Sequence, residues 1–380
     1  MSGTDNPPGL DLGRLRSHLD RELPGLVTGD LRAGLVEGGR SNLTYRVTDG
    51  AGTWVVRRPP LGHVLATAHD MTREHRVISA LAGTPVPVPG TVLLCEDPEV
   101  IGAPFYVMEF VPGTPYRDER QLRAIGPERT RAAVLTLVDT LVDLHAVDPA
   151  AVGLAGFGRP EGFLDRQLRR WGKQLDASRS RDLPGVDELH AGLGAALPAS
   201  PAASVVHGDY RLDNVLIDDT GRLTAVLDWE MSTLGDPLTD LGLLVMYGEL
   251  RADDSADDSS DDSSDAAEAA GAPGDTAGAG AGTGVSAAAG ADVSVPAPTI
   301  GGAPGHPATG EIVERYAQRS GRDVSAIDWY VAFAYFKVAV ILEGIHYRWT
   351  LGQTLGAGFD RIGGLVPGFI DRGLHTLRQR

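Results

Sequence analysis

The chain has 380 residues, 42% of them hydrophobic, and a formal net charge of −17. That length supports a large core divided between two or three lobes. The acidic balance argues against a nucleic-acid partner, because phosphate backbones demand clustered Lys and Arg. A single cysteine, Cys95, cannot form an internal disulfide and fits a reducing cytoplasm, the expected location.

Residues 1–30 read as a helical or flexible segment, and Met1 to Leu12 shows no apolar secretory core. A β-rich lobe is expected over 31–111, with short β-prone runs at Leu31–Glu37, Leu43–Thr48, Thr53–Arg57 and Phe105–Phe110. A helical pattern over His69–Leu81 interrupts them, and Cys95 closes an apolar run expected to be buried. A helical lobe is expected over 112–250 and 311–380. In it, Pro127–His145 places Val134, Leu137, Val138, Leu141 and Leu144 at helical spacing. Ser204–Val206, Val215–Ile217 and Leu223–Leu227 read as strands; Gly310–Ser320, Ala326–Tyr347 and Gly358–Arg378 read as helices. The apolar run Val331–Leu342 is broken by Lys337 and too short to cross a bilayer, so a buried helix and no membrane are expected. The predicted class is α+β and bilobal, with a β-rich N-terminal lobe and a mostly helical C-terminal lobe.

Residues 251–310 differ from their surroundings: Asp/Ser blocks run into Ala/Gly/Pro repeats carrying −9, which leaves −8 for the rest. Such a composition cannot offset its ordering entropy, so a disordered insertion is expected, with 252–308 dispensable. An acidic interaction arm is the alternative.

The chemistry concentrates in His207-Gly208-Asp209-Tyr210-Arg211-Leu212-Asp213-Asn214, a loop between two apolar strands. Phosphoryl transfer needs a carboxylate to orient the attacking hydroxyl and accept its proton, and oxygen ligands for Mg²⁺. Asp209 can supply the first and Asn214 a ligand, at the spacing kinase catalytic loops use. Asp228, in Leu227-Asp228-Trp229-Glu230, ends the next apolar strand and is placed to be a second metal ligand. Turn-forming Asp residues, or a hydrolytic metal site on His207 and Asp209, are the competing explanations; no second His lies near to complete a zinc-type set.

These motifs, followed by Gly235-Asp236-Pro237-x-x-Asp240, together resemble the signature of aminoglycoside phosphotransferase-like kinases, relatives of the protein-kinase fold. The resemblance runs from about Leu31 to about Arg378, apart from the acidic stretch. It implies that ATP and Mg²⁺ are used, with Asp209 as base and Asn214 and Asp228 as Mg²⁺ ligands. In the N-terminal lobe, Glu37-Gly38-Gly39-Arg40-Ser41-Asn42 would set backbone N–H groups at Gly38, Gly39 and Ser41 over phosphates, although a hairpin turn reads the same way. Arg57 stands where protein kinases carry their phosphate-binding Lys, and Glu74 where its pairing Glu belongs. A solvated helix face is the alternative for Glu74. Met108, Glu109 and Val111 resemble the adenine-binding segment that links the lobes.

Within the family the chain looks like the kinase-like domains found beside or fused to acyl-CoA dehydrogenases, on Val206–Asn214, Leu227–Pro237 and Phe336–Ile345. That implies a small-molecule substrate with a hydroxyl group, a hydroxyacyl-CoA or related metabolite, and a functional link to an acyl-CoA dehydrogenase. An aminoglycoside, an amino alcohol or a sugar is the alternative acceptor, and a pseudokinase scaffold or an acidic-tailed interaction protein the alternative class. The polar end of the last apolar helix, Glu343, His346, Tyr347 and Arg348, is expected to line the acceptor pocket, unless it only caps the helix.

Overall fold

The computed structural model describes residues 6–36, 42–61, 70–251, 299–353 and 358–379. Helix α1 (Leu12–Glu22) is capped by Asp11, whose side chain accepts from the Arg14 N–H. Five antiparallel strands follow: β1 (Arg32–Leu35), β2 (Leu43–Thr48), β3 (Thr53–Arg58), β4 (Thr91–Cys95) and β5 (Phe105–Glu109), in the order β1-β2-β3-β5-β4. Helix α2 (Met71–Leu81) packs on one face of this sheet. It begins at Met71 because Asp70 caps it, accepting from the Arg73 N–H.

The sheet divides two cores by the two-residue alternation of its side chains. Phe105 and Val107 of β5, with Trp54 and Val56 of β3, pack against Leu12, Leu15 and Leu19 of α1. Tyr106, Met108 and Val55 point the other way, into a second cluster that runs through the C-terminal lobe.

That lobe contains α3 (Glu119–Ile125), α4 (Pro127–Ala146), α5 (Phe163–Ser178), α6 (Val186–Ala195), α7 (Leu238–Glu249), α8 (Thr309–Ser320), α9 (Ile327–Thr350) and α10 (Ile362–Arg378). Two small antiparallel ribbons sit among them: β6 (Ser204–Val206) with β9 (Thr233–Gly235), and β7 (Val215–Ile217) with β8 (Leu223–Val226). All five apolar residues assigned to the core face of α4 are buried. Helix α9 is long and apolar enough to cross a membrane by length and composition, yet 78% of its most apolar window is buried inside the protein. It packs against α7, α10 and α5 as the central helix of the lobe.

The acidic stretch needs a correction at its C-terminal end. Residues 252–298 lie outside the described residues, but 299–310 are part of the lobe. The Gly301 N–H donates to the Leu250 carbonyl at 2.9 Å and Gly302 to Glu119 Oε1 at 3.0 Å, while Ile300 and Ala303 are buried. Composition hid this, because a few apolar residues carry the packing inside a Gly/Pro-rich run. Removing 252–308 whole would therefore cut into the core.

Candidate active site

The loop between β6 and β7 is held from three sides. Asp240, on the first turn of α7, is 1% exposed, and its Oδ2 and Oδ1 accept from the N–H groups of His207 at 2.7 Å and Gly208 at 2.8 Å. Its Oδ2 also accepts from His145 Nε2 at 3.3 Å, and His145 Nδ1 then accepts from Tyr316 Oη at 2.8 Å. Burial alone would raise the Asp240 pKa, but these donors outweigh it and hold the carboxyl below its ordinary value. Burial also lowers the His145 pKa, which keeps its ring neutral and fits this donor pattern. From the other side His207 Nε2 donates to the Leu227 carbonyl at 2.8 Å, and its Nδ1 accepts from the Asp209 N–H at 3.2 Å. Lys337 of α9 closes the third side, donating to the Gly208 carbonyl at 2.5 Å.

Asp209 and Asn214 meet directly: Asn214 Nδ2 donates to the Asp209 carbonyl at 2.9 Å and to Asp209 Oδ2 at 3.0 Å. Arg211 lies between Asp209 Oδ2, at 3.3 Å, and Asp213 Oδ1, at 3.0 Å. The Leu227 N–H donates to the Asn214 carbonyl at 2.8 Å, which sets Asp228 beside Asn214. Among the described residues Asp228 is the one non-glycine residue with left-handed backbone, at φ 63° and ψ 60°. Such a conformation costs about 1–3 kcal/mol and persists where surrounding structure imposes it.

The N-terminal lobe reaches the same place. Arg57 Nε pairs with Glu74 Oε2 at 3.1 Å, and its Nη2 with Asp228 Oδ1 at 2.5 Å. Glu74 is buried rather than on a solvated face, and burial pushes its pKa up to about 7 against the lowering pull of Arg57. Glu230 lies 3.8 Å from Arg57 and accepts from Asn42 Nδ2 at 3.0 Å. Gly38, Gly39 and Ser41 lie outside the described residues. Met108 is buried on β5; Glu109 ends that strand with its N–H donating to Gly90. Val111 is half-buried, and its N–H has no partner among the described residues. Arg57, Glu74, Asp209, Asn214 and Asp228 thus converge, with Met108, Glu109 and Val111 on the adjoining strand and linker.

The donor set suits Mg²⁺. Asn214 spends its amide N–H groups on Asp209, which leaves its side-chain oxygen to face a cation. Asp228 adds a carboxylate, and one or two protein oxygens completed by phosphate and water oxygens are what Mg²⁺ usually takes.

A cavity of about 430 Å³ adjoins Gly208, between α5, α9 and the segment Glu230–Thr233. Its wall includes Phe163, Arg170, Trp171, Phe333 and Lys337. The polar end of α9, expected to line an acceptor pocket, does not reach this cavity. Glu343 is fully buried against Arg181, at 2.8 Å, and His346 packs beside Gly363, so the end of α9 serves the α9–α10 contact. None of Glu343, His346, Tyr347 or Arg348 is on the cavity wall. The part of α9 on the cavity wall lies earlier, at Phe333, Ala334 and Lys337.

A β-rich lobe carrying an Arg–Glu pair over a helical lobe with an Asp-x-x-x-x-Asn loop defines a kinase-like phosphotransferase. The chain belongs to the phosphotransferase enzyme family, whose sequence profile matches residues 32–273. It is 31% identical to acyl-CoA dehydrogenase family member 11 of Gallus gallus, over 97% of this chain and 44% of that protein. It is 32% identical to acyl-CoA dehydrogenase family member 10 of Mus musculus, over 92% of this chain and 30% of that protein. The chain thus spans less than half the length of these curated relatives. A crystal structure from Ralstonia eutropha, provisionally called an aminoglycoside phosphotransferase, aligns with a TM-score of 0.76 at 31% identity, over 97% of this chain and 98% of that one. Aminoglycoside phosphotransferase APH(4)-Ia, in a ternary complex with AMP-PNP and hygromycin B, aligns with a TM-score of 0.56 at 13% identity, over 96% of this chain and 97% of that one; it shares the fold.

Proposed function

We propose that the chain transfers the γ-phosphate of ATP to a hydroxyl group of a small molecule. The observation that carries this is the meeting of Arg57 and Asp228 at 2.5 Å, which brings the Arg–Glu pair of one lobe onto the catalytic loop region of the other. In this reading the acceptor oxygen attacks the γ-phosphorus, the bond to the β–γ bridging oxygen breaks, and ADP leaves. Asp209 orients the hydroxyl and takes its proton, held in place by Asn214. Arg57, fixed by Glu74, clamps phosphate oxygens with its planar fork. Asn214 and Asp228 would hold Mg²⁺, which when bound neutralises charge on the phosphates. Met108 lines the adenine slot, with Glu109 and Val111 offering backbone groups to the base edge.

The acceptor is proposed to be a hydroxyacyl-CoA or related metabolite, and the chain to work alongside an acyl-CoA dehydrogenase. Support comes from the relatives' names and from the aromatic side chains of Phe163, Trp171 and Phe333 on the wall of the cavity beside Gly208. Intact Asp209, Asn214 and Asp228 weigh against a pseudokinase scaffold. The buried, unpaired Cys95 fits a cytoplasmic setting. Isothermal titration with ATP, with and without Mg²⁺, tests the nucleotide half: Asp228→Ala is expected to lose the Mg²⁺-linked affinity. An unchanged Mg²⁺ dependence would remove Asp228 from this role. Phosphate transfer from ATP to hydroxyacyl-CoAs, amino alcohols, sugars and aminoglycosides tests the acceptor half.

A further inference from the structure

The cavity beside Gly208 is lined by three acids and three bases, which differ in how far their hydrogen-bonding capacity is taken up. Its acids are engaged: Asp240 accepts from His207, Gly208 and His145, Glu230 from Asn42, and Asp70 from the Arg73 N–H. Of its bases, Arg73 donates to the carbonyls of Phe157 and Ser232 and lies 3.9 Å over the Phe157 ring. Two cations keep donors to spare, although burial lowers the Lys337 pKa against the pull of the Asp209 and Asp240 carboxylates. Lys337 makes one hydrogen bond, to the Gly208 carbonyl, from a group with three donors. The side chain of Arg170, exposed at the rim, has no ion pair or hydrogen bond among the described residues. Both flank the ring of the buried Trp171, Arg170 at 5.6 Å and Lys337 at 5.7 Å. Two cations with donors to spare, set beside the aromatic rings of Trp171 and Phe333, can offer charge-assisted hydrogen bonds to an anion.

We propose that Lys337 and Arg170 select an acceptor that carries an anionic group beside a short apolar body, the body resting on Trp171 and Phe333. The proposal rests on the reading of this cavity as the acceptor pocket of a kinase. A volume of about 430 Å³ suits a small molecule or one end of a larger one. The exposed rim position of Arg170 lets the anion sit at the mouth, where a planar fork can bind a carboxylate or a phosphate. Lys337 lies deeper and pulls the same group toward the Gly208 end. A polycation meets like charge at both places.

Isothermal titration in the presence of ADP and Mg²⁺ tests this with four probes: 3-hydroxybutyrate, its CoA thioester, its neutral methyl ester, and kanamycin. At least one of the two anionic probes is expected to bind ten-fold or more tightly than the ester, and kanamycin most weakly. Binding of the free acid identifies a carboxylate as the recognised group, and binding of the thioester alone identifies the CoA phosphates. Arg170→Ala, at the surface, is expected to cut the preference at least three-fold, and Lys337→Met to remove it. Circular dichroism checks that each variant folds; if Lys337→Met does not, Arg170→Ala decides. The inference fails if neither anion binds, if the ester or kanamycin binds as tightly as the anions, or if Arg170→Ala leaves the preference intact. ADP titration of the unaltered chain keeps the two readings apart. A chain that binds ADP with Mg²⁺ but shows no preference for an anion loses only this inference, whereas one that binds no ADP loses the kinase reading itself.

Discussion

Asn214 grips Asp209 at two points, its side-chain amide donating to the backbone carbonyl at 2.9 Å and to carboxylate Oδ2 at 3.0 Å. The loop between them is thereby closed on itself, and the Asp209 carboxylate is oriented before any substrate arrives. That orientation makes the residue's role separable from nucleotide binding. Asp209→Asn keeps a similar shape and removes the proton acceptor. We expect phosphate transfer to fall about 10²–10⁴-fold. ATP affinity should stay within a few-fold, measured by titration. Near-normal turnover would show that another group takes the proton.

Gly208 is the tightest point of the same loop. Its φ is +85°, its N–H is taken by Asp240 and its carbonyl by Lys337. A Cβ there would lie 2.6 Å from the Met231 carbonyl oxygen. Gly208→Ala therefore strains the backbone and forces the Met231 segment to shift. The expected loss is about 1–3 kcal/mol of stability, read from urea unfolding midpoints. Phosphate transfer should fall as well, because Asp209 moves with the loop. A variant as stable and active as the parent would mean that the loop can relax.

Glu74 supplies a pH signature. Burial is the largest influence on it and pushes its pKa up to about 7, above the roughly 4.3 of an unfolded Glu. Between those values the folded chain binds the extra proton, so this group's contribution to stability is full below about pH 4 and lost as pH rises through about 7. Glu74→Gln does not titrate. The thermal midpoint of the parent minus that of the variant should therefore decrease from pH 5 to pH 8. A difference that is flat or grows over that range would show that Arg57 holds Glu74 ionised throughout.

The Leu250–Gly301 hydrogen bond brings together the two ends of the stretch between them. Replacing residues 253–297 with a short Gly/Ser bridge should leave thermal midpoint and phosphate transfer close to those of the full chain. Loop closure costs only about 0.6 kcal/mol per doubling of length, so the shorter connection shifts stability little. Extending the cut through Ile300 and Ala303 should destabilise by about 2–4 kcal/mol, the scale for losing buried aliphatic packing. Equal tolerance of both deletions would show that the packing at Ile300 is worth little.

Much of the site was legible because its groups come in short contiguous strings. Asp209 and Asn214 share one loop, and Asp228 is separated by one residue from β8, which pairs with β7. Helix α4 was legible from periodicity alone. Helix α5 was not drawn from the sequence, although Phe163, Leu164, Leu168, Trp171 and Leu175 carry a helical stripe that is buried. Its charged and polar majority masked that stripe. The cavity beside Gly208 was missed for a different reason. Arg170 and Lys337 sit on helices far apart in the chain and meet only through packing. Lys337 was visible as an interruption of an apolar run, and a lone Lys on a buried helix was the signal to follow. Asp240 appeared only as the end of a motif; its hold on two consecutive backbone N–H groups needed the fold to be seen.

Val55 and Val56 are neighbours in sequence and strangers in energy. The sheet puts Val55 in the cluster that runs through the catalytic lobe and Val56 in the one built on α1. Truncating both should give nearly additive losses, since side chains on opposite faces share few partners. Val55 should instead couple to residues remote in sequence, such as Tyr106 and Val77 of the same cluster. Substitutions accumulated on the α1 side can therefore drift in size and shape without being felt on the side that faces the phosphate-transfer machinery. The sheet insulates one population of mutations from the other.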